Sequence, residues 1–208
     1  MIDARGRCPW AGADRPAPDP LMVAYHDDEW GAPVHDDLEL FERLALESFQ
    51  AGLSWSIILR KREAFRAAFR SFDPRIVAAF DDADRARLLA DAGIVRNRAK
   101  IDATVGNAAA FLSTAAEHGS FDRYLATIVP APPTRRAATA TMADIPASTP
   151  ASDALSADLR RRGFRFVGST IVYALMQSIG LVDDHLPGCF RYRGSLSPHR
   201  GTGGADRR

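Results

Sequence analysis

The stretch Glu47-Ser48-Phe49-Gln50-Ala51-Gly52-Leu53-Ser54-Trp55 puts a carboxylate, an apolar tip and an indole within nine residues, a combination that makes a site more readily than a plain surface. Gly52 can adopt the left-handed conformation that closes a helix, and Ser54 can cap the next one. The connection is then a tight turn that presents Leu53. A helical hairpin with Leu53 and Trp55 in the core and Glu47 in solvent satisfies the same pattern. A second chemistry lies at the two ends of the chain. Cys8 precedes His26 by eighteen residues, and His185 and Cys189 stand four apart. Two thiols and two imidazoles are a full tetrahedral set for zinc, with no position left for a substrate, so such a centre would staple the termini rather than activate water. Two separate buried thiols and two surface histidines are the alternative. A third candidate is Leu88 to Lys100, where Gly93 is followed by Arg96, Arg98 and Lys100. A helix, a Gly-containing hairpin and a basic helix start can aim backbone amides and positive charge at a phosphate, or can be an ordinary helical corner.

The elements that must position these residues are helices. Leu40, Phe41, Leu44, Ala45 and Phe49 recur at three- and four-residue spacing, predicting a core-facing helix over 38–51 that carries Glu47 near its end and is capped by Asp36 or Asp37. Ile57, Ile58, Phe65 and Phe69 predict a second helix over 54–70. Asp73-Pro74 opens a short third through Phe80, and Asp81 or Asp82 opens a fourth ending at Gly93. Ile101, Val105, Ala108 and Phe111 or Leu112 mark a long buried helix. Residues 130–150, rich in Pro, Ala and Thr, read as a crossover. Thr149-Pro150 then caps a helix through Arg162, and the last helix covers about 169–179. Without alternation of period two, the fold class is all-α.

The chain has 208 residues, 46% of them hydrophobic, enough for one large domain or two small ones. With 27 Lys and Arg against 26 Asp and Glu, a polyanion must be gripped by a local patch rather than by the whole surface. Lys61 and Lys100 are the only lysines, which leaves few amines for covalent chemistry. The N-terminus lacks the apolar run of a secretory signal and no stretch reaches membrane-span length, so a cytoplasmic protein is expected, its two cysteines thiols or metal ligands rather than a disulfide.

The strings YHDDEWG, ESFQAGLSW, DAGIVRNRAKI, NAAAF and SDALSADLRRRGFRFVGSTIVYALMQSIGLVDDH, after a Cys-Pro-Trp start, resemble the DNA-3-methyladenine glycosylase I family, bacterial alkylation-repair enzymes of the helix-hairpin-helix superfamily. The likeness runs in order from Cys8 to about Cys189. It implies one glycosylase domain over 1–189. The tail 190–208 matches nothing, and its Gly, Arg and Pro content suits disorder.

By that resemblance, Glu47 is the base-recognising carboxylate and Trp55 the aromatic that stacks on the extruded base, with Tyr25, Trp10 and Trp30 completing the pocket wall. Leu53, with Gly52 beside it, fills the gap left in the duplex, and Gly93, Arg96, Arg98 and Lys100 face the DNA. Cys8, His26, His185 and Cys189 fall on the family's zinc ligands, one structural zinc per chain. Met22 stands where relatives often have Tyr, and Ser48-Phe49 replace small or amide residues, which alters fine pocket shape. The implied reaction is hydrolysis of the bond between 3-methyladenine and deoxyribose after base flipping, by a monomer acting on alkylated duplex DNA and releasing the free base. The late stretch GFRFVGST carries no acid to stabilise the sugar cation, which fits a substrate whose methylated base is already a good leaving group. A zinc-stapled DNA-binding scaffold without activity is the rival class.

Overall fold

The computed structural model describes residues 5–13, 16–129, 131 and 133–194. Helix α2 (Asp37–Gln50) is the element on which the candidate site depends. Asp36 starts it, its carboxylate accepting from the amides of Leu38 and Glu39 at 3.1 and 3.0 Å. Asp37 turns the other way and accepts from the amide of Phe121 at 3.0 Å, opening α7 (Phe121–Ile128). At the far end Gly52 takes φ 78° and the amide of Leu53 donates to the carbonyl of Gln50 at 2.6 Å. The turn is thus as tight as the sequence predicts.

Helix α3 (Trp55–Ala68) departs from expectation at its start. Ser54 occupies the cap position but its hydroxyl makes no capping bond, lying instead 3.1 Å from that of Ser56. Asp73, Asp81, Asn97 and Thr149 do cap α4 (Pro74–Ala78), α5 (Asp82–Ala90), α6 (Arg98–His118) and α8 (Pro150–Arg161). Helix α9 is Ser169–Ser178. Near the N-terminus, α1 (Pro20–Ala24) runs into one π turn, Tyr25–Glu29, closed by the amide of Trp30 donating to the carbonyl of Tyr25 at 2.8 Å.

The all-α expectation holds. One parallel strand pair, β1 (Thr134–Arg135) against β2 (Val182–Asp183), interrupts the helices and is too short to leave alternation in the sequence. It fastens the 130–150 crossover to the segment that delivers His185. Residues 130 and 132 of that crossover lie outside the described residues, as do 1–4, 14 and 15 of the N-terminal arm.

The tail is a correction in its first part. Phe190 packs on the His26 ring and under the guanidinium of Arg5, Arg191 donates to the carbonyl of Asp27 at 2.9 Å, and the Tyr192 hydroxyl to that of Arg136 at 3.1 Å. An aromatic with a cationic partner binds where a Gly- and Arg-rich composition alone predicts disorder. The stretch 195–208 lies outside the described residues.

The buried side chains form two clusters. The larger joins α2, α3, α6, α7, α8 and α9 through Phe41, Phe49, Phe65, Phe69, Phe72, Phe111 and Phe121, each ring contributing roughly 2–3 kcal/mol by burial. The smaller gathers Cys8, Tyr25, Trp30, Leu59, Leu186 and Cys189. Trp55 packs against both, so it stands at their seam. Among the described residues, no helix is long and apolar enough to cross a membrane.

Candidate active site and metal centre

A cavity of about 260 Å³ opens at that seam. Its wall contains Trp10, Tyr25, Trp30, Glu47 and Trp55, so all five residues assigned to base binding share one space. The local backbone explains the convergence. The π turn makes the adjacent residues Tyr25 and His26 face different neighbours, one the cavity and one the thiols, and it ends on Trp30. Cys8 is separated from Trp10 only by Pro9. Tyr25 and Trp55 rings lie 5.1 Å apart between centroids, and Trp10 meets Trp30 edge to face at 4.8 Å.

Glu47 is 3% exposed, which excludes the solvated helix-end reading. Its Oε2 has no hydrogen-bond partner among the described residues, and the same is true of the indole nitrogens of Trp10 and Trp55. Burial pushes its carboxyl up to about 8, with Arg43 one helical turn away opposing the rise. Arg43 is itself buried and gives Nη2 to Glu29 and Glu39 at 2.8 and 2.9 Å, while its Nη1 has no partner. A buried carboxylate without a donor is costly, so this one is stabilised only when something arrives that donates or is positively charged.

The sequence reading misses part of the wall: Gln50, Met142, Ile145, Ala174 and Gln177 also line the cavity. Gln50 and Gln177 are polar residues on otherwise apolar helix stripes, a signal that could have found them. Arg43 carries the same signal among Leu40, Leu44 and Glu47. Met142 and Ile145 lie in the low-complexity crossover and give none.

The DNA-facing candidates divide. Leu53 is 38% exposed at the tip of the tight turn beside Gly52. Arg96 and Arg98 are exposed at the start of α6. Gly93 is partly closed off, because its amide donates to Asp91 at 2.7 Å and its carbonyl accepts from Lys61 at 3.0 Å. Lys100 is a correction. It is 7% exposed and donates to the carbonyls of Phe49 and Ala51 at 2.8 and 2.6 Å. A cation sealed against the orphan carbonyls of a helix end stabilises α2 and does not reach a phosphate. A second hairpin escapes the sequence reading, between α8 and α9. Three buried side chains from three helices clamp consecutive residues there: Asn107 bonds the amide and carbonyl of Arg165, Ser48 the carbonyl of Phe166, and Ser156 that of Val167. Phe166 is held at φ 56°, a strained conformation for so bulky a residue.

Cys8, His26, His185 and Cys189 are all buried, with their ligand atoms within 4.8 Å of one another. Cys189 Sγ lies 3.4 Å from His26 Nε2 and 3.5 Å from His185 Nδ1, and Cys8 Sγ 3.7 Å from His185 Nδ1. These edges match a tetrahedron built with metal-to-sulfur and metal-to-nitrogen lengths of about 2.3 and 2.0 Å. The surroundings are those of a metal site. His26 Nδ1 pairs with Asp27 at 2.8 Å and His185 Nε2 with the carbonyl of Trp30 at 3.2 Å, fixing which nitrogen faces inward. The amides of Leu186 and Arg191 donate to the two sulfurs at 3.4 Å each. Contacts from Cys8, His185, His26 and the Arg191 amide draw the Cys189 thiol well below the ordinary thiol range, while the same contact and burial push the Cys8 thiol up, so without a metal the pair holds one thiolate, on Cys189.

With the geometry in place, comparison with known proteins is direct. The methyladenine glycosylase family model matches residues 15–192. DNA-3-methyladenine glycosylase 1 of Escherichia coli K12 is 49% identical over 189 residues, covering 91% of this chain and 98% of its own length. A crystal structure of 3-methyladenine DNA glycosylase I superposes with a TM-score of 0.84 at 48% identity, covering 89% of this chain and 99% of that one. The Staphylococcus aureus 3-methyladenine DNA glycosylase I, whose structure addresses 3-methyladenine recognition, gives 0.80 at 37% identity, with 86% and 94% covered. A match over most of the sequence, a shared fold and a buried carboxylate among aromatic walls agree: the chain belongs to the methyladenine glycosylase family.

Proposed function

We propose that Glu47 is the group on which base selection rests in an enzyme that removes 3-methyladenine from alkylated DNA. Methylation at N3 gives the adenine of DNA a positive charge, weakening its bond to deoxyribose. Much of the barrier is therefore lowered by the lesion, and the protein must extrude the nucleotide, recognise a cationic purine and hold it while water attacks the sugar. Trp55 and Tyr25 offer aromatic faces to that cation, each worth roughly 0.5–2 kcal/mol depending on desolvation. Glu47, giving up its proton to water as the cation enters, supplies the charge complement and accepts from the exocyclic amine. The observation that carries this reading is the buried, unpartnered Glu47 carboxylate in an aromatic cavity. A DNA-binding scaffold would have no use for it. Release of 3-methyladenine from methylated duplex by wild type and Glu47→Gln, measured side by side, tests it, and equal rates would end it.

The reaction is hydrolysis without strand cleavage, beginning base excision repair. A lyase needs a free amine, and the ammonium groups of Lys61 and Lys100 are each bonded to two backbone carbonyls. Leu53 enters the space left by the flipped nucleotide. Arg96, Arg98 and the clamped hairpin around Arg165 hold the backbone on either side. The two hydrophobic clusters and their shared seam support a single domain over 1–189, and the enzyme releases the free base.

The donor set fits zinc, which Cys8, His26, His185 and Cys189 would hold as a closed centre. Bound there, zinc would cross-link the two terminal segments and would offer no Lewis acid for the reaction, since all four positions would belong to the protein. By holding His185 against the carbonyl of Trp30, and Cys8 two residues from Trp10, these ligands also keep two walls of the cavity in place.

A further inference from the structure

We propose that Gln177, turned by Asp184, is the residue that selects an exocyclic amine over a carbonyl oxygen on the flipped purine, and so favours 3-methyladenine over 3-methylguanine. The inference rests on the cavity being the base site and assigns a wall residue that the Glu47 reading leaves without a role. From Val172 to the end of α9, Ala174 and Gln177 are the partly exposed positions, both on the cavity side, and the other residues are buried. The side chain of Gln177 is not free to choose its orientation. Its Nε2 donates to Asp184 Oδ2 at 2.7 Å, and that oxygen also accepts from the Tyr173 hydroxyl at 2.6 Å. The other oxygen is ion-paired with Arg136 Nε, and Arg136 donates through Nη2 to the same Tyr173 hydroxyl at 2.8 Å. Asp184 is 1% exposed.

A carboxylate paired with a guanidinium accepts and does not donate. The amide of Gln177 must therefore give its NH₂ to Asp184, because the flipped amide would set two oxygens against each other inside the protein. That holds the NH₂ group, with its second N–H, on the Asp184 side and leaves Oε1 as the acceptor of Gln177 without a partner among the described residues. Gln50, the other amide on the cavity wall, has no such anchor and can present either face. The cavity thus holds two fixed acceptors on different helices, the Glu47 carboxylate and Gln177 Oε1. An adenine carries two N–H groups on its exocyclic nitrogen and can satisfy acceptors there. A guanine places a carbonyl oxygen at that position and would face them with lone pairs. Sites built to pair a polar substrate group reject the analogue lacking it, because their own buried groups are then left unpaired.

The test uses full-length protein on one duplex carrying both 3-methyladenine and 3-methylguanine, with freed bases quantified over time. Gln177→Leu should lower the ratio of the two release rates about tenfold, the scale of one lost hydrogen bond, chiefly by slowing 3-methyladenine. Asp184→Asn should lower the ratio as well, since an asparagine can donate to Oε1 and let the amide turn over. Metal content and thermal midpoint report whether each variant is folded. Should Asp184→Asn fail to fold, Gln177→Leu decides alone, because Gln177 is only partly buried. An unchanged ratio, or equal slowing of both bases, overturns the assignment. Glu47→Gln run in parallel separates the two levels. If it too leaves release unchanged, the cavity is not the base site, whereas its loss alongside an unaffected Gln177→Leu refutes only the role of Gln177.

Discussion

The metal cluster and the base cavity share Trp10 and Trp30 as neighbours and each contain buried polar atoms, yet they treat those atoms in opposite ways. Around Cys8, His26, His185 and Cys189 the sulfurs accept backbone amides and the imidazoles have partners on their outer nitrogens. Around Glu47, a carboxylate oxygen, two indole nitrogens and a guanidinium nitrogen are left without partners. Native proteins satisfy nearly all buried polar groups. The difference separates a centre complete within the chain from one completed by its ligand, and it predicts opposite responses to substitution.

The largest expected effect is on Glu47. Glu47→Gln keeps shape and one acceptor but loses the charge, and should cut 3-methyladenine release on the order of a hundredfold or more while metal content stays normal. It should also stabilise the fold at alkaline pH. In the unfolded chain this carboxyl titrates near 4.5, and in the fold near 8, so the folded state holds the proton more tightly. The burial is then uncosted below about pH 4.5 and destabilises progressively as pH rises through 8. Wild type and Glu47→Gln should melt together at pH 5, and by pH 9 the variant should melt higher by about 5 °C or more. Coincident melting curves at both pH values would show that the carboxylate is paired after all.

The metal cluster should behave in reverse, with stability failing before chemistry. Cys189→Ser, or removal of the metal by a chelator, leaves buried ligands unpaired and frees the terminal segments. The thermal midpoint should fall by roughly 10 °C, with release of 3-methyladenine at low temperature reduced much less. Elemental analysis of freshly purified protein should find one zinc per chain. Absence of the metal, or loss of activity with no loss of stability, would erase the contrast between the two regions.

What the sequence disclosed follows the same division. The thiols, imidazoles, Glu47 and the aromatic wall were legible because their residue types are unusual in their settings and their motifs resemble a known family. Helix positions followed from apolar spacing. Missed were features that depend on where side chains turn after folding. Lys100 read as a basic residue near a hairpin, and only packing shows that it faces the end of α2. Ser54 stood at a cap position without using it. Phe190 to Tyr192 read as tail and are held by partners more than 50 residues away in sequence. Met142 and Ile145 reach the cavity from a stretch without periodicity, because β1 and β2 bring the crossover beside the pocket.

Lys100 gives the next test. If its ammonium serves α2 and not DNA, Lys100→Met should destabilise the fold by about 2 kcal/mol, the cost of leaving helix-end carbonyls buried without a donor. The salt dependence of DNA binding should remain that of wild type. A flatter salt dependence with unchanged stability would return Lys100 to the phosphate-binding group.

The smallest effect belongs to the exposed side of the molecule, where Arg96 and Leu53 divide the work of docking. Arg96 is solvent-exposed near the start of α6, so its removal costs the fold little. Neutralising one phosphate fewer should weaken binding by a few-fold, regardless of sequence, and lower the slope of log affinity against log salt by about one. Leu53 has no charge, and its removal should leave that slope alone. Its contribution comes when the nucleotide is extruded and an apolar side chain takes the vacated space, so Leu53→Ala should slow base release while binding an abasic site nearly as well as wild type. Affinities measured at several salt concentrations, together with single-turnover release, place each residue. If Arg96→Ala slowed release without changing the salt slope, or Leu53→Ala altered the slope, the turn and the start of α6 would have exchanged roles and the proposed orientation of the duplex would be reversed.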